Sequence, residues 1–327
     1  MKRLAWLVNR LRVMSVREVL FRLQRTFLQT IERYRVAAGY QPLPAEDVRP
    51  RLALFGTDPG ITRDWQQSFQ LDTDRLQDTM AGRINFFGYA ALDVGMPVAW
   101  HRDPVTRTEA PCEFGKSINY RDDRLVGNIK FTWELGRHQH LVPLAVAYAV
   151  SGDTAYRDAV IDQVDGWIDD NPYAIGIHWC SALEVSLRLV SWALIHSLLV
   201  LRDGEQGLFA SVRDPQRLGT SIYQQSCFVR HFLSRYSSAN NHLIGELCGL
   251  WVACRIFDLG RQGHEWGLFA REELEHEARK QVHADGVDRE QAAYYHLWVL
   301  EYFLYCWLVG IRSGEAFSAE FTDTILA

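Results

Sequence analysis

From Trp133 to about Arg312 the chain runs through one apolar helical segment after another, and this run constrains its fold most. Leu135 to Val150 is apolar, and Pro143 within it predicts a kink or a restart. Asp153 is placed to cap the next helix. That helix carries Tyr156, Val160, Ile161, Val164, Trp167 and Ile168 on one face, and Asn171-Pro172 ends it. Ser181-Ala182-Leu183-Glu184 has the capping-box pattern and opens a helix running to about Leu201. Periodicity predicts further helices over about 214–234, 240–257, 265–283 and 290–312. Short loops and little strand signal make this an all-α body. A solenoid or a closed ring of helical hairpins would fit. No motif recurs at fixed spacing, so the ring, an α/α toroid, is the better reading.

The segments before the run are different. Met1 to Arg10 is basic, its apolar run is too short for a secretory signal, and no small-residue cleavage site follows. No transmembrane segment is expected. Ser15 and Glu18 form a capping-box pattern. Val16, Val19, Leu20, Leu23, Phe27, Ile31 and Tyr34 then recur at helical spacing, with Arg17, Arg22, Arg25, Arg33 and Arg35 among them. Such an amphipathic helix is expected to pack on the domain; an anionic membrane surface is the alternative. Residues 38–64 hold Pro42, Pro44, Pro50, Pro59, Gly56 and Gly60 and read as a connection. The expected division is therefore 1–64, helix and connection, and 65–327, the main domain. Ile84 to Tyr89 reads as a short strand.

Composition narrows the function classes. The charged fraction, 23%, is that of a globular chain, and a net charge of -5 excludes a generally basic nucleic-acid binder. Eleven Trp, 13 Tyr and 16 Phe either fill a core or stack on sugar rings. None of the six cysteines forms a Cys-x-x-Cys pair, which weighs against a structural zinc site. Cys227, Cys248, Cys254 and Cys306 lie in apolar stretches and read as buried thiols.

Polar clusters interrupt the apolar helices near their ends. They are Trp133-Glu134 with Arg137-His138-Gln139-His140; His178-Trp179 with Glu184 and Arg188; Asn240-Asn241-His242 with Glu246; and Asp285-Gly286 with Glu290 and Tyr294-Tyr295-His296. Each has a plain structural explanation. His138 and His140 point apart on a helix, so no metal is expected there. Glu134 with Arg137, and Glu184 with Arg188, have the spacing of intrahelical ion pairs. Asn240 suits a helix cap, Asp285-Gly286 a turn, and Tyr294-Tyr295 a core. Helix termini of a toroid gather on one rim, where the four clusters would share a cleft.

Taken together and in order, these motifs resemble the N-terminal domain of heparinase II/III-type polysaccharide lyases, which include alginate-lyase relatives. The opening helix and Phe86-Phe87-Gly88 resemble members of the same family. The resemblance implies an incomplete (α/α) toroid followed by a β-sandwich domain, which the 327 residues do not contain. It implies β-elimination on a uronic-acid polysaccharide, with no cofactor and no nucleic acid, and a periplasmic setting, with the cytoplasm as the alternative because no clear signal peptide is read. Asn241 and His242 would bind the uronate carboxylate, and Tyr295 would protonate the leaving oxygen. Trp133, Arg137, His138, His178, Trp179, Glu184, Arg188, Asn240, Glu246 and His296 would bind or surround the sugar. A non-catalytic carbohydrate-binding toroid and a glycoside hydrolase on a similar toroid are the alternatives.

Overall fold

A computed structural model describes residues 14–55, 70–290 and 292–327. The basic start at Met1 to Arg10 and the end of the Pro/Gly-rich connection, with Gly56, Pro59 and Gly60, lie outside the described residues. The chain divides into two compact units, Met1–Gln41 and Pro42–Ala327.

The first unit contains helix α1 (Val16–Ala37). The Ser15 hydroxyl accepts from the Glu18 amide at 3.1 Å, as the capping pattern predicts. The Glu18 carboxylate pairs with Arg22 one turn on, at 2.8 Å. The helix ends at Ala38, before Gly39 in the left-handed region.

The second unit begins with strand β1 (Arg49–Pro50), helix α2 (Thr73–Met80) and a hairpin of β2 (Arg83–Phe86) and β3 (Tyr89–Asp93). The sequence suggested one short strand here; the second comes from a reversal at Phe87-Gly88. Both residues have positive φ, the backbone of a tight hairpin turn. Helices α3 (Asp123–Val126), α4 (Ile129–Gly136), α5 (Val142–Ser151) and α6 (Thr154–Asp170) follow. Pro143 falls in the first turn of α5, where its missing N–H costs nothing, so it marks a restart. Asp153 caps α6 as expected, accepting from the Ala155 amide.

Next come α7 (Ala182–Asp203), α8 (Leu208–Ser211), α9 (Pro215–Phe232) and α10 (Asn241–Ile256). The chain then forms β4 (Phe257–Asp258), antiparallel to β1, and helices α11 (Gly260–Gln281), α12 (Ala293–Ser313) and α13 (Ala319–Leu326). Helix α11 starts earlier than the periodicity suggested. Its first turns, Gly260-Arg261-Gln262-Gly263, carry no apolar residue to announce them. At the start of α7, Ser181 makes no side-chain capping bond, so the predicted capping box does not form.

Helices α7 and α10 form the centre. Helix α10 also packs on α11 and α12, while α9 and α5 flank α7. Helix α7 is long and apolar enough by composition to cross a membrane, contrary to the sequence expectation, but 94% of that stretch is buried. It is a core helix because other helices cover every side. Gly249 sets the contact between α10 and α7: a Cβ there would stand 2.5 Å from the Ser186 Cβ. Trp167, Trp179, Trp192 and Trp251 are fully buried, so part of the aromatic load fills the core. All six cysteines are free thiols, five of them buried.

Two predictions follow from this packing. Gly249→Val should lower unfolding stability by about 1–3 kcal/mol through overpacking, measured by denaturant titration. An unchanged midpoint would contradict the close approach. The second concerns buried histidines. Burial holds His138 and His178 well below their ordinary value and brings His140 and His196 down to about 4. The unfolded chain binds protons at these sites near pH 6.5 and the folded chain does not. Stability should therefore be full above about pH 6.5 and fall steadily towards pH 4. Urea midpoints across that range check the slope, and a flat profile would contradict it.

Candidate active-site cleft

A cleft of about 780 Å³ opens between the C-terminal end of α4, the first turns of α7, the start of α10 and one face of α12. Its charged floor is built on Arg137, which follows the last residue of α4. Arg137 Nε donates to Glu184 Oε2 at 2.6 Å, Nη2 to Glu184 Oε1 at 3.3 Å, and Nη1 to Glu134 Oε2 at 2.6 Å. The expected Glu134–Arg137 pair is therefore present. The expected Glu184–Arg188 pair is not, because Glu184 turns to Arg137. Burial opposes the Arg137 charge, but the two carboxylates outweigh it and hold the guanidinium above its ordinary value. Burial also pushes the Glu134 carboxyl above its usual range; Arg137 opposes this and Glu184 adds to it.

Immediately after Arg137 the backbone enters the left-handed region at His138, φ 61°. That turn sends the two side chains apart. Arg137 lines the cleft, while His138 is buried, its Nδ1 accepting from Trp192 Nε1 at 2.9 Å. Arg188 is also buried. Its guanidinium lies 3.9 Å from the Trp167 ring centre and donates to Gln225 Oε1 and to the Gly136 carbonyl. Burial brings it down to about 9, so it keeps its charge at neutral pH. The bond to Gly136 fixes the end of α4 and so supports Arg137 from beneath.

His242 lies in the first turn of α10 and lines the cleft. The Asn240 side chain caps this helix, accepting from the His242 amide at 3.2 Å, as the sequence suggested. Burial holds the His242 imidazole below its ordinary value; Glu184 and Glu290 pull against that, and Arg137 reinforces it. The ring is therefore neutral at neutral pH, with one nitrogen able to donate and the other to accept. Its neighbour Asn241 is buried. The Glu290 carboxylate takes the Asn241 backbone amide at 2.5 Å and its side-chain nitrogen at 2.7 and 2.8 Å.

Helix α12 supplies an aromatic wall. Tyr294, Tyr295, Trp298, Tyr302 and Tyr305 line the cleft from one face. Tyr294 and Tyr295 are exposed rather than core residues; Tyr295 keeps 40% of its surface open. Tyr295 packs its ring 5.9 Å from Trp298. Tyr305 donates to Glu301 at 3.0 Å. Across the cleft stand Trp133, packed on Tyr120, and Phe87 at the tip of the β2–β3 turn.

The cleft thus brings together Trp133, Arg137, Glu184, His242 and Tyr295. It does not include the other sequence-predicted side chains. His178 is buried, with Nε2 donating to the Trp100 carbonyl at 2.8 Å. Trp179 is buried against Tyr173 and Phe228. Glu246 is buried and accepts from the Ser234 amide and hydroxyl. His296 lines a separate cavity of about 460 Å³ with Asp285 and Asp288. Phe87, Trp298, Glu301, Tyr302 and Tyr305 were not identified from sequence. The α12 residues were findable, since positions 295, 298, 302 and 305 share one helical face. Among the described residues, no group of three or more His, Cys, Asp or Glu is placed to hold a metal.

The sequence matches the Heparinase II/III N-terminus family over residues 73–325, and the chain belongs to that family. It is 26% identical over 226 residues to a heparin-sulfate lyase of Bacteroides stercoris, covering 65% of this chain and 33% of that protein. A heparin-sulfate lyase of Bacteroides thetaiotaomicron is 27% identical over 222 residues, 66% of this chain and 30% of that one. Among solved structures, heparan sulfate lyase HepC from Pedobacter heparinus superposes with a TM-score of 0.57 at 20% identity. That match covers 82% of this chain and 41% of that chain. A heparinase III structure gives 0.57 at 19% identity, over 85% and 39%. The fold is the incomplete (α/α) toroid of these proteins, and the chain spans a third or less of the curated relatives' length.

The cleft floor carries its own prediction. Arg137→Met leaves two partly buried carboxylates facing each other and should cost about 3–5 kcal/mol. Adding Glu184→Gln should restore much of that loss. Equal stability of Arg137→Met and the parent protein in denaturant would show that the triad contributes little.

Proposed function

We propose that this chain is the toroid domain of a polysaccharide lyase that cleaves a uronic-acid-containing polysaccharide by β-elimination. The observation that carries the reading is the placement of His242 and Tyr295 on the walls of one cleft in a member of this family. In β-elimination the proton on C5 of the uronate leaves, the C4–O4 bond breaks, a C4=C5 double bond forms, and O4 gains a proton. The C5 proton is weakly acidic, so negative charge must be accommodated on the adjacent carboxyl group. A neutral His242 donates a hydrogen bond to that carboxylate without needing a charge of its own. Asn241, fixed by Glu290, sets the start of α10 and hence the His242 position. In a syn elimination Tyr295 enters as the phenolate, its oxygen takes the C5 proton and passes that same proton to O4, which regenerates the phenolate and requires no second base. Trp133, Phe87, Tyr294 and Trp298 give the sugar rings apolar faces to stack on.

The charges in the cleft favour a uronate polymer of low charge density. Arg137 is already shared by Glu134 and Glu184, Glu301 adds another acid, and Lys130 is the other cation on the wall. A densely sulfated chain would meet more carboxylates than cations there. The glycoside-hydrolase alternative needs two opposed, independently acting carboxylates, whereas Glu134 and Glu184 hold one guanidinium between them.

The test is incubation with alginate, heparan sulfate and other uronate polymers, following the ultraviolet absorbance of the unsaturated product. Cleavage should fall by about 10²–10⁴-fold in Tyr295→Phe and in His242→Ala, with melting behaviour retained. Normal turnover by Tyr295→Phe would remove it as the acid. Saturable binding with no product would select a non-catalytic carbohydrate-binding toroid, and cleavage without a double bond would select hydrolysis.

A further inference from the structure

Helix α1 carries an apolar stripe that lies open to solvent. Val16 is 76% exposed, Leu20 60%, Leu23 64%, Phe27 64% and Tyr34 71%. At about 100° per residue these five side chains fall on one narrow face of the helix. A contiguous exposed stripe of this size is characteristic of an interaction surface rather than of scattered surface hydrophobes. Arginines border it on both sides, Arg17 and Arg35 on one flank, Arg22 and Arg33 on the other. The helix has five arginines against two glutamates, a net charge of +3 in a chain whose total is -5. Both glutamates pair with arginines of the same helix, Glu18 with Arg22 and Glu32 with Arg35.

We propose that α1 is an interfacial helix that docks the protein on an anionic lipid surface. Leu20, Leu23, Phe27 and Tyr34 would enter the boundary between headgroups and acyl chains. The flanking arginines would then lie at phosphate level, their apolar stems following the stripe and their guanidinium groups meeting the lipid charge. Charge complementarity decides between this occupant and the others. Val16, Leu20, Leu23 and Phe27 follow one another at alternating four- and three-residue steps, the pattern of a two-helix seam. The residues bordering that seam are Arg17, Gln24 and Ile31 on one side and Val19, Thr26 and Arg33 on the other. They include no acid, so a second copy would set arginine against the same net positive charge with no compensating pair. An acidic polysaccharide would satisfy the arginines but leave Leu20, Leu23 and Phe27 in water. A lipid surface satisfies both features at once.

The experiment is sedimentation of the full chain with phosphatidylcholine vesicles that contain or lack phosphatidylglycerol. Pelleting with the anionic vesicles should exceed that with neutral vesicles by roughly tenfold and decline as salt rises. The double variant Leu23→Asp/Phe27→Asp should stay in the supernatant, and Arg17→Glu/Arg33→Glu should bind several-fold less. Unchanged melting of both variants shows that the loss is not unfolding. Retention of the parent protein in the supernatant with both vesicle types overturns the proposal. So does equal binding to both, or undiminished binding by Leu23→Asp/Phe27→Asp. A stable dimer in sedimentation velocity that this double variant dissociates also overturns it, by assigning the stripe to a second copy. None of these outcomes depends on whether the cleft cleaves a polysaccharide.

Discussion

The guanidinium of Arg137 is the contact on which the cleft depends. It joins the end of α4 to the first turn of α7 by holding Glu134 and Glu184 at 2.6 Å each. Two carboxylates this close, largely out of water, would repel strongly without it. Its position is fixed from below by Arg188, which binds the Gly136 carbonyl one residue earlier while stacked on Trp167. One buried cation therefore orients the backbone that presents a second, partly exposed cation. Glu184 also contributes to the electrostatic setting of His242, so the triad acts on that ring through charge.

A second constraint acts at the N-terminal end of α10. Glu290 binds Asn241 through both its backbone amide and its side chain, and Asn240 caps the same turn. Orphan amides at a helix start need acceptors, and these two residues provide them. The result is a rigid first turn from which His242 faces the cleft. The aromatic face of α12 then defines the opposite wall, with Tyr295 among Tyr294, Trp298 and Tyr302. Burial raises the Tyr302 and Tyr305 phenols above their ordinary value, so both remain protonated hydrogen-bond donors at neutral pH.

Helical periodicity made most of the fold legible, because the 3.6-residue repeat of α6, α7, α9 and α12 is written directly in the apolar positions. The family could be named because four polar clusters stand in one order. Within the clusters, though, neighbouring residues part ways in a manner spacing does not encode. Arg137 goes to the cleft and His138 to the core because of a single left-handed residue. Glu184 abandons the helical partner Arg188 for Arg137, a residue 47 positions away. Asn241 is buried beside an accessible His242. Such choices are set by tertiary packing, which overrides local pairing rules. Phe87 was hidden for another reason: its role comes from the positive-φ turn that carries it to the cleft, and a phenylalanine gives no sequence warning of that conformation.

A neutral His242, in a cleft floored by the Arg137 triad, is proposed to contact a uronate carboxylate. An NMR titration of the His242 ring, with and without a short uronate oligosaccharide, tests this contact most directly. The imidazole should protonate below the ordinary histidine range, and its resonances should shift when the saccharide binds. A ring already charged at neutral pH and indifferent to the saccharide would contradict it.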